Sequence, residues 1–311
     1  MITRHTHRNL TWVDLESPTQ EDIRTVAKEY RLNPLVVHEL SAPTLKPKVD
    51  LYSDFIYLIL HFPKARPSVT LGEHGRGFAG DQEIDFIIGK KFIITVRYCG
   101  SETLHVFGKL FETSAILDKG NFGKHAGFIF FHMTGKLYES LLHELAAVKE
   151  CLRQIEGHIF SGKEREMVIS LSSVSRDLLD FRRSLSLHRE VLESFEIAGR
   201  KLFGEGFAFH LRALIGDYYR VEHAVESNVA FLVELRETNN SLLSTKQSEI
   251  MKTLTVLAFI ALPATTVLSL FQIDSVSRPI VGHRFDFWLL VIMVGAIAFG
   301  LYAWFKRKHW L

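Results

Sequence analysis

The chain has 311 residues, 47% of them hydrophobic, and its 37 Lys and Arg against 35 Asp and Glu leave a formal net charge of +2. That length holds one soluble domain of about 120 residues, a long helical region and a membrane anchor. The near-neutral balance offers no basic field for nucleic acid, and Cys99 and Cys151, far apart and in the part expected to be cytoplasmic, where thiols stay reduced, are assigned neither a disulfide nor a metal-thiolate role.

Met1 to Leu10 carries His and Arg but no apolar core, so no cleavable signal is expected there. Apolar runs at Leu10 to Leu15, Phe55 to Phe62, Ile84 to Ile88 and Phe92 to Tyr98 predict strands, the last two joined through Gly89-Lys90-Lys91 as in a hairpin. Helical signals lie between them. Ser17-Pro18-Thr19-Gln20 reads as a cap, a Pro at the first helical position and a Gln three residues after the cap, opening a helix to about Tyr30. Asn33-Pro34 repeats the device before Leu35, Val36 and Leu40. Residues 1–115 therefore read as a cytoplasmic α/β domain, and from about Ser101 the period turns helical.

Two long helical stretches follow, about Lys124 to Phe160 and Lys163 to Phe203, separated by Ser161-Gly162. A third opens after Gly204-Glu205-Gly206 and meets no proline until Pro263; continuous from Phe207 to Leu270, it would be about 95 Å long. A helix of that length would run from a cytoplasmic domain into the bilayer as one rigid element.

Met251 to Phe271 and Phe287 to Phe305 are apolar runs long enough to cross a hydrocarbon core of roughly 30 Å. Lys246, Lys252 and the tail Lys306-Arg307-Lys308 outnumber Arg278 and Arg284 of the connecting loop, so both termini are expected on the cytoplasmic side of the cell's inner membrane. The expected division is a domain at 1–115, a helical region at 116–206, a stalk helix at 207–250, a first membrane helix at 251–273, an external loop at 274–286, a second membrane helix at 287–305 and a basic tail at 306–311. The fold class is an α+β cytoplasmic domain with a long helical stalk and two C-terminal transmembrane helices.

Enzyme chemistry finds little support. Gly75, Gly77 and Gly80 spell G-x-G-x-x-G, but the strand-like Asp81 to Ile88 follows where a dinucleotide site needs a helix, so an inter-strand loop is the better reading. His5 and His7 look like adventitious chelators at a frayed terminus, and His38, His61, His132, His143 and His223 like satisfied or solvated side chains. No nucleophile has a convincing base, and neither an enzymatic activity nor a tightly bound cofactor is expected.

The membrane-proximal part of the third helix is more informative. Glu237, Ser241, Ser244, Ser248, Met251, Thr255, Ala258, Leu262, Thr265, Ser269 and Gln272 form a 3.5-residue repeat whose members are mostly small or polar. Two readings fit: close packing through small side chains, or the wall of a water-filled pore. Leu254, Val256, Leu257, Phe259, Ile260 and Leu268 supply apolar surface for neighbours and lipid.

Nearly the whole chain resembles the CorA family of divalent metal-ion transporters, which includes a zinc-transporting ZntB branch. The resemblance is carried by Asp14-Leu15-Glu16-Ser17-Pro18-Thr19, Pro34-Leu35-Val36-Val37-His38-Glu39-Leu40, Lys46-Pro47-Lys48-Val49-Asp50, Phe92-Ile93-Ile94-Thr95-Val96-Arg97, Leu179 to Leu192, Glu249 to Leu262 with Pro263, and Phe305 to Leu311. It implies a homopentameric funnel in the lipid bilayer, carrying Mg²⁺, Zn²⁺ or Co²⁺ along an axis lined by five copies of the first membrane helix. Met251, Leu254 and Leu262 fall at the family's hydrophobic constrictions and Thr265 at a polar pore position.

At the external mouth the family's Tyr/Phe-Gly-Met-Asn becomes Phe271-Gln272-Ile273-Asp274, and Arg278, His283 and Arg284 replace an acidic loop. Gln272 removes a flexible helix end, and Asp274 turns a ring of carboxamides into a ring of carboxylates, the expected metal site. Two functions follow: a divalent-cation pore or transporter, or a non-conducting membrane-anchored assembly for sensing or partner binding.

Overall fold

The computed structural model describes residues 2–44, 46–63, 81–116, 123–272 and 285–308. The chain divides into two compact units, 1–236 and 237–311.

The first unit is built on a six-stranded mixed sheet. Its strands are β1 (Ile2–His7), β2 (Leu10–Glu16), β3 (Lys48–Leu51), β4 (Phe55–Pro63), β5 (Asp81–Gly89) and β6 (Phe92–Arg97), in spatial order β1-β2-β6-β5-β4-β3. All neighbours are antiparallel except β2 and β6, which run parallel with Trp12 opposite Ile93 and Asp14 opposite Thr95. Alternation along each strand sends side chains to two covered faces, which is why the central strands read as continuous apolar runs. Val13, Leu15, Tyr57, Ile59, Ile87, Ile94 and Val96 meet Ile23 and Val26 of α1 (Gln20–Glu29) and Val36 of α2 (Pro34–Glu39). On the opposite face Trp12 packs on Phe107 and Phe111 of α3 (Glu102–Ile116), and Phe86 on Phe130 of α4 (Gly127–Phe160).

The parallel pair is pinned by a buried polar chain. Trp12 Nε1 donates to Thr95 Oγ1 at 2.9 Å, Thr95 donates to Asp14 Oδ1 at 2.7 Å, and Arg97 Nη2 reaches Asp14 Oδ2 at 2.8 Å. Each buried group is thereby satisfied, which removes the penalty an unpaired charge would carry there.

The helical layer continues through α5 (Glu164–Leu185) and α6 (His188–Phe203) into α7 (Glu205–Gln272), a single helix of 68 residues, or about 100 Å. Glycines make the two sharp corners, Gly162 at φ 92° between α4 and α5 and Gly204 at φ 94° between α6 and α7. α8 (Asp286–Arg307) is the last element.

Four sequence expectations need correction. The N-terminal segment is not frayed: it is the edge strand β1, and His5 and His7 are buried, His5 stacked on Trp12 with centroids 4.6 Å apart and its Nδ1 2.9 Å from Glu112. The short strand β3 was also unread. The cap of α1 is Thr19, which forms a reciprocal capping box with Asp22; Ser17 is held by the sheet end instead, its N–H donating to Arg97 O and its hydroxyl to Tyr98 O. The expected helix from Lys163 to Phe203 is two helices parted at Ser186-Leu187, where Ser184 and Ser186 hydroxyls donate back to Asp180 O and Arg183 O. Gly75, Gly77 and Gly80 lie outside the described residues.

His61 is satisfied on one side only: Nε2 lies 2.9 Å from Thr44 O and 3.3 Å from Glu83, while Nδ1 is buried without a hydrogen-bond partner. His132, His143 and His223 are all exposed at the surface, and partial desolvation together with the nearby His210 holds the His132 imidazole below its ordinary pKa.

Candidate functional site

The second unit consists of the end of α7 and α8, and both helices are long and apolar enough to cross a membrane, with mean hydropathy of 1.9 and 2.1 in their best windows. Each has one partly covered stripe. On α7 it is Val256, Ile260, Pro263, Ala264 and Val267; on α8 it is Leu290, Met293, Val294, Ile297, Leu301 and Phe305. Both follow the helical period, and the rings of Phe259 and Phe305 stand 6.2 Å apart, so these stripes are the packed faces of a helix pair.

The 3.5-residue repeat lies on the other side of α7. At about 100° per residue its members fall broadly opposite the Val256–Val267 stripe. Glu237, Ser241, Ser244, Ser248, Met251, Leu254, Ala258, Leu262, Thr265, Ser269 and Gln272 are all exposed, and Thr255 is half-buried. The small and hydroxylated side chains therefore do not serve the packing of α7 on α8. The close-packing reading, applied within one chain, has no partner for this face among the described residues.

The hydroxyls have a defined orientation. Thr255 donates to Met251 O at 2.7 Å, Thr265 to Leu262 O at 2.9 Å and Ser269 to Thr265 O at 2.9 Å. Each proton is turned back into the helix, leaving oxygen lone pairs facing outward. A file of such oxygens suits hydrated cations, which orient their water protons toward acceptors. Bulky Met251, Leu254 and Leu262, each more than half exposed, interrupt the file with apolar surface.

Sequence reasoning missed Gln247 and read Lys252 only as a charge on the cytoplasmic side; both border a shallow groove with Ser244, Ser248, Met251 and Thr255. Gln247 sits one turn before Met251, and that i, i+4 spacing was the available signal. Asp274, the expected metal ligand, lies outside the described residues with Arg278, His283 and Arg284. Among the described residues no three His, Cys, Asp or Glu side chains gather as a metal site.

Comparison with known proteins gives the same architecture. The sequence model of the CorA-like Mg2+ transporter protein family matches residues 8–307. The cobalt/magnesium transport protein CorA of Thermotoga maritima is 20% identical over 307 residues, covering 97% of this chain and 83% of the relative. The complete structure of the CorA magnesium transporter from Methanocaldococcus jannaschii superposes with a TM-score of 0.82 at 18% identity, covering 97% of this chain and 92% of that one. The ZntB cytoplasmic domain from Vibrio parahaemolyticus matches more loosely, with a TM-score of 0.54 at 14% identity over 76% of this chain and 89% of its own. With a family match running from the second strand to the last helix, this chain belongs to the CorA-like Mg2+ transporter family.

Proposed function

We propose that the protein is a homopentameric divalent-cation channel or transporter of the cell's inner membrane, with the exposed repeat of α7 as the wall of its axial pore. The observation that carries this reading is the position of the repeat: a hydroxyl-rich file opposite the face that α7 packs on its neighbour. Left in lipid, those hydroxyls and Gln272 would be poorly solvated. Symmetric association about an axis gives every copy the same water-filled lining at once. The family resemblance and the cobalt/magnesium name of the Thermotoga relative support Mg²⁺ or Co²⁺ as cargo, with Zn²⁺ the further candidate.

In this account Met251, Leu254 and Leu262 form apolar rings that gate by expelling water. Thr255, Thr265 and Ser269 offer oxygen to the ion's hydration shell, and Gln272 and Asp274 form the external mouth. Basic residues at Lys246, Lys252 and 306–308 support cytoplasmic termini.

The departure from Gly-Met-Asn at Gln272 and Asp274 favours the second reading, a non-conducting sensing or scaffold assembly. Divalent flux through the purified protein in liposomes separates the two. Saturable Mg²⁺, Co²⁺ or Zn²⁺ flux, together with a native mass of five chains in mild detergent, is the expected result. A pentamer without flux supports the scaffold, and a monomeric or dimeric mass removes the axial pore.

A further inference from the structure

Where the ends of β4 and β5 meet α3 and α4 there is a cavity of about 590 Å³, within the range of small-ligand sites. Phe62, Phe107, Leu137 and Leu141 give it an apolar wall, and Val106 and Leu110, 58% and 48% exposed, leave apolar surface at its mouth.

Two polar side chains in this wall are unfinished. Gln82 is only 7% exposed, lies on the same face of β5 as Phe86, and its amide nitrogen has no hydrogen-bond partner. Glu144 on α4 has a buried Oε2 that likewise lacks one. A buried donor and a buried acceptor left open beside the same cavity each carry a desolvation penalty that a bound molecule would relieve.

The charges select the class of molecule. Glu102 on α3 and Glu139 and Glu144 on α4 face the cavity, against Lys136, whose ammonium is paired with Glu139. His143 completes the titratable lining. An anion would meet uncompensated carboxylates. A metal ion is disfavoured because the carboxylates do not converge into a ligand set, and the apolar wall calls for an apolar body.

We propose that this cavity binds an organic ammonium ion with a compact apolar body, its nitrogen on Glu144 and a hydroxyl or carbonyl oxygen on the Gln82 amide. Such a ligand supplies both missing partners once small side-chain rotations bring the two buried atoms to the cavity surface. Burial pushes the Glu144 carboxyl up to about 7 when no cation is beside it, so a bound ammonium would also draw that group into its ionised form.

The test is isothermal titration calorimetry on the full-length protein in nanodiscs, with four probes: 2-amino-1-phenylethanol, phenethylammonium, 2-phenylethanol and 3-phenylpropionate. The two ammonium probes should bind saturably, one per chain, the amino alcohol more tightly, with affinity rising about tenfold between pH 6 and pH 8 as Glu144 ionises. Glu144→Gln, which keeps the side chain's shape, should weaken both at least about tenfold, the scale of a lost charge-assisted contact. Gln82→Ala should erase the preference for the amino alcohol and leave phenethylammonium binding in place. Leu110→Trp, at the exposed mouth, should block all binding by filling space. No saturable binding, equal binding of alcohol and ammonium, or ammonium affinity unchanged in Glu144→Gln would each overturn the proposal.

Discussion

The Tyr138 hydroxyl and His188 Nδ1 are 2.8 Å apart in the buried interior, and the other imidazole nitrogen, Nε2, is 2.8 Å from the His61 carbonyl. A carbonyl only accepts, so Nε2 carries the proton and Nδ1 accepts from Tyr138. One neutral imidazole thus ties α4, α6 and β4 together, with Phe62 and Tyr218 packed round it.

This contact predicts an acid-sensitive first unit. Burial depresses His188 from the ordinary 6.5 to about 4, so between those values the unfolded chain binds a proton that the folded chain refuses. Stability from this group is complete above pH 6.5 and declines as pH falls toward 4, by about 3 kcal/mol in full. His188→Gln should lower the thermal midpoint at pH 7.5, at a cost of roughly 1 to 3 kcal/mol, and flatten its fall between pH 6.5 and 5. Thermal unfolding monitored by tryptophan fluorescence checks both, and an equally steep fall in the variant would assign the acid sensitivity elsewhere.

Leu254→Ser and Leu262→Ser test the proposed constrictions. Replacing a ring of isobutyl groups by hydroxymethyl groups widens and wets the pore, so resting divalent leak into liposomes should rise about tenfold or more in at least one variant. Leak at or below wild type in both would remove these residues from the gate.

Asp274 is predicted to concentrate divalent ions at the mouth. In the proposed pentamer, five carboxylates round one axis would repel unless a cation sat among them, and a strongly held ion leaves slowly. Asp274→Asn should relieve block by the most tightly bound ion and shift the ion preference, while Asp274→Ala should lower metal occupancy. Occupancy and flux unchanged in both variants would point to an aspartate facing solvent, with Gln272 and Thr265 the next rings to test.

The strands with apolar runs, the two long apolar helices and the 3.5-residue repeat were legible because burial on a regular period leaves a periodic sequence. The parts that escaped lack that contrast. In β1 the inward residues are His5 and His7 and the outward ones Arg4 and Thr6, so the alternation is real but almost wholly polar. The break at Ser186-Leu187 has neither glycine nor proline; it places His188 for its bonds to Tyr138 and His61, partners 50 and 127 residues away. Gln82 and Glu144 became notable only when the sheet and α4 brought them to one cavity. At the stripe, sequence supplied the repeat, and structure supplied the fact that α8 covers a different side of α7.

The central claim, that the exposed repeat of α7 faces the cation path, is tested most directly by blocking it one position at a time. In a background with Cys99 and Cys151 replaced by Ser and Ala, single cysteines at Ser248, Thr255 and Thr265 and at the off-repeat Leu257 and Leu268 would be treated with a small cationic thiol reagent during divalent flux into liposomes. The account predicts that modification at Ser248, Thr255 and Thr265 stops most of the flux and that divalent ions slow the modification, while Leu257 and Leu268 variants conduct as before. Block at Leu257 and Leu268 with the repeat positions insensitive, or no flux to block in the unmodified background, would contradict it.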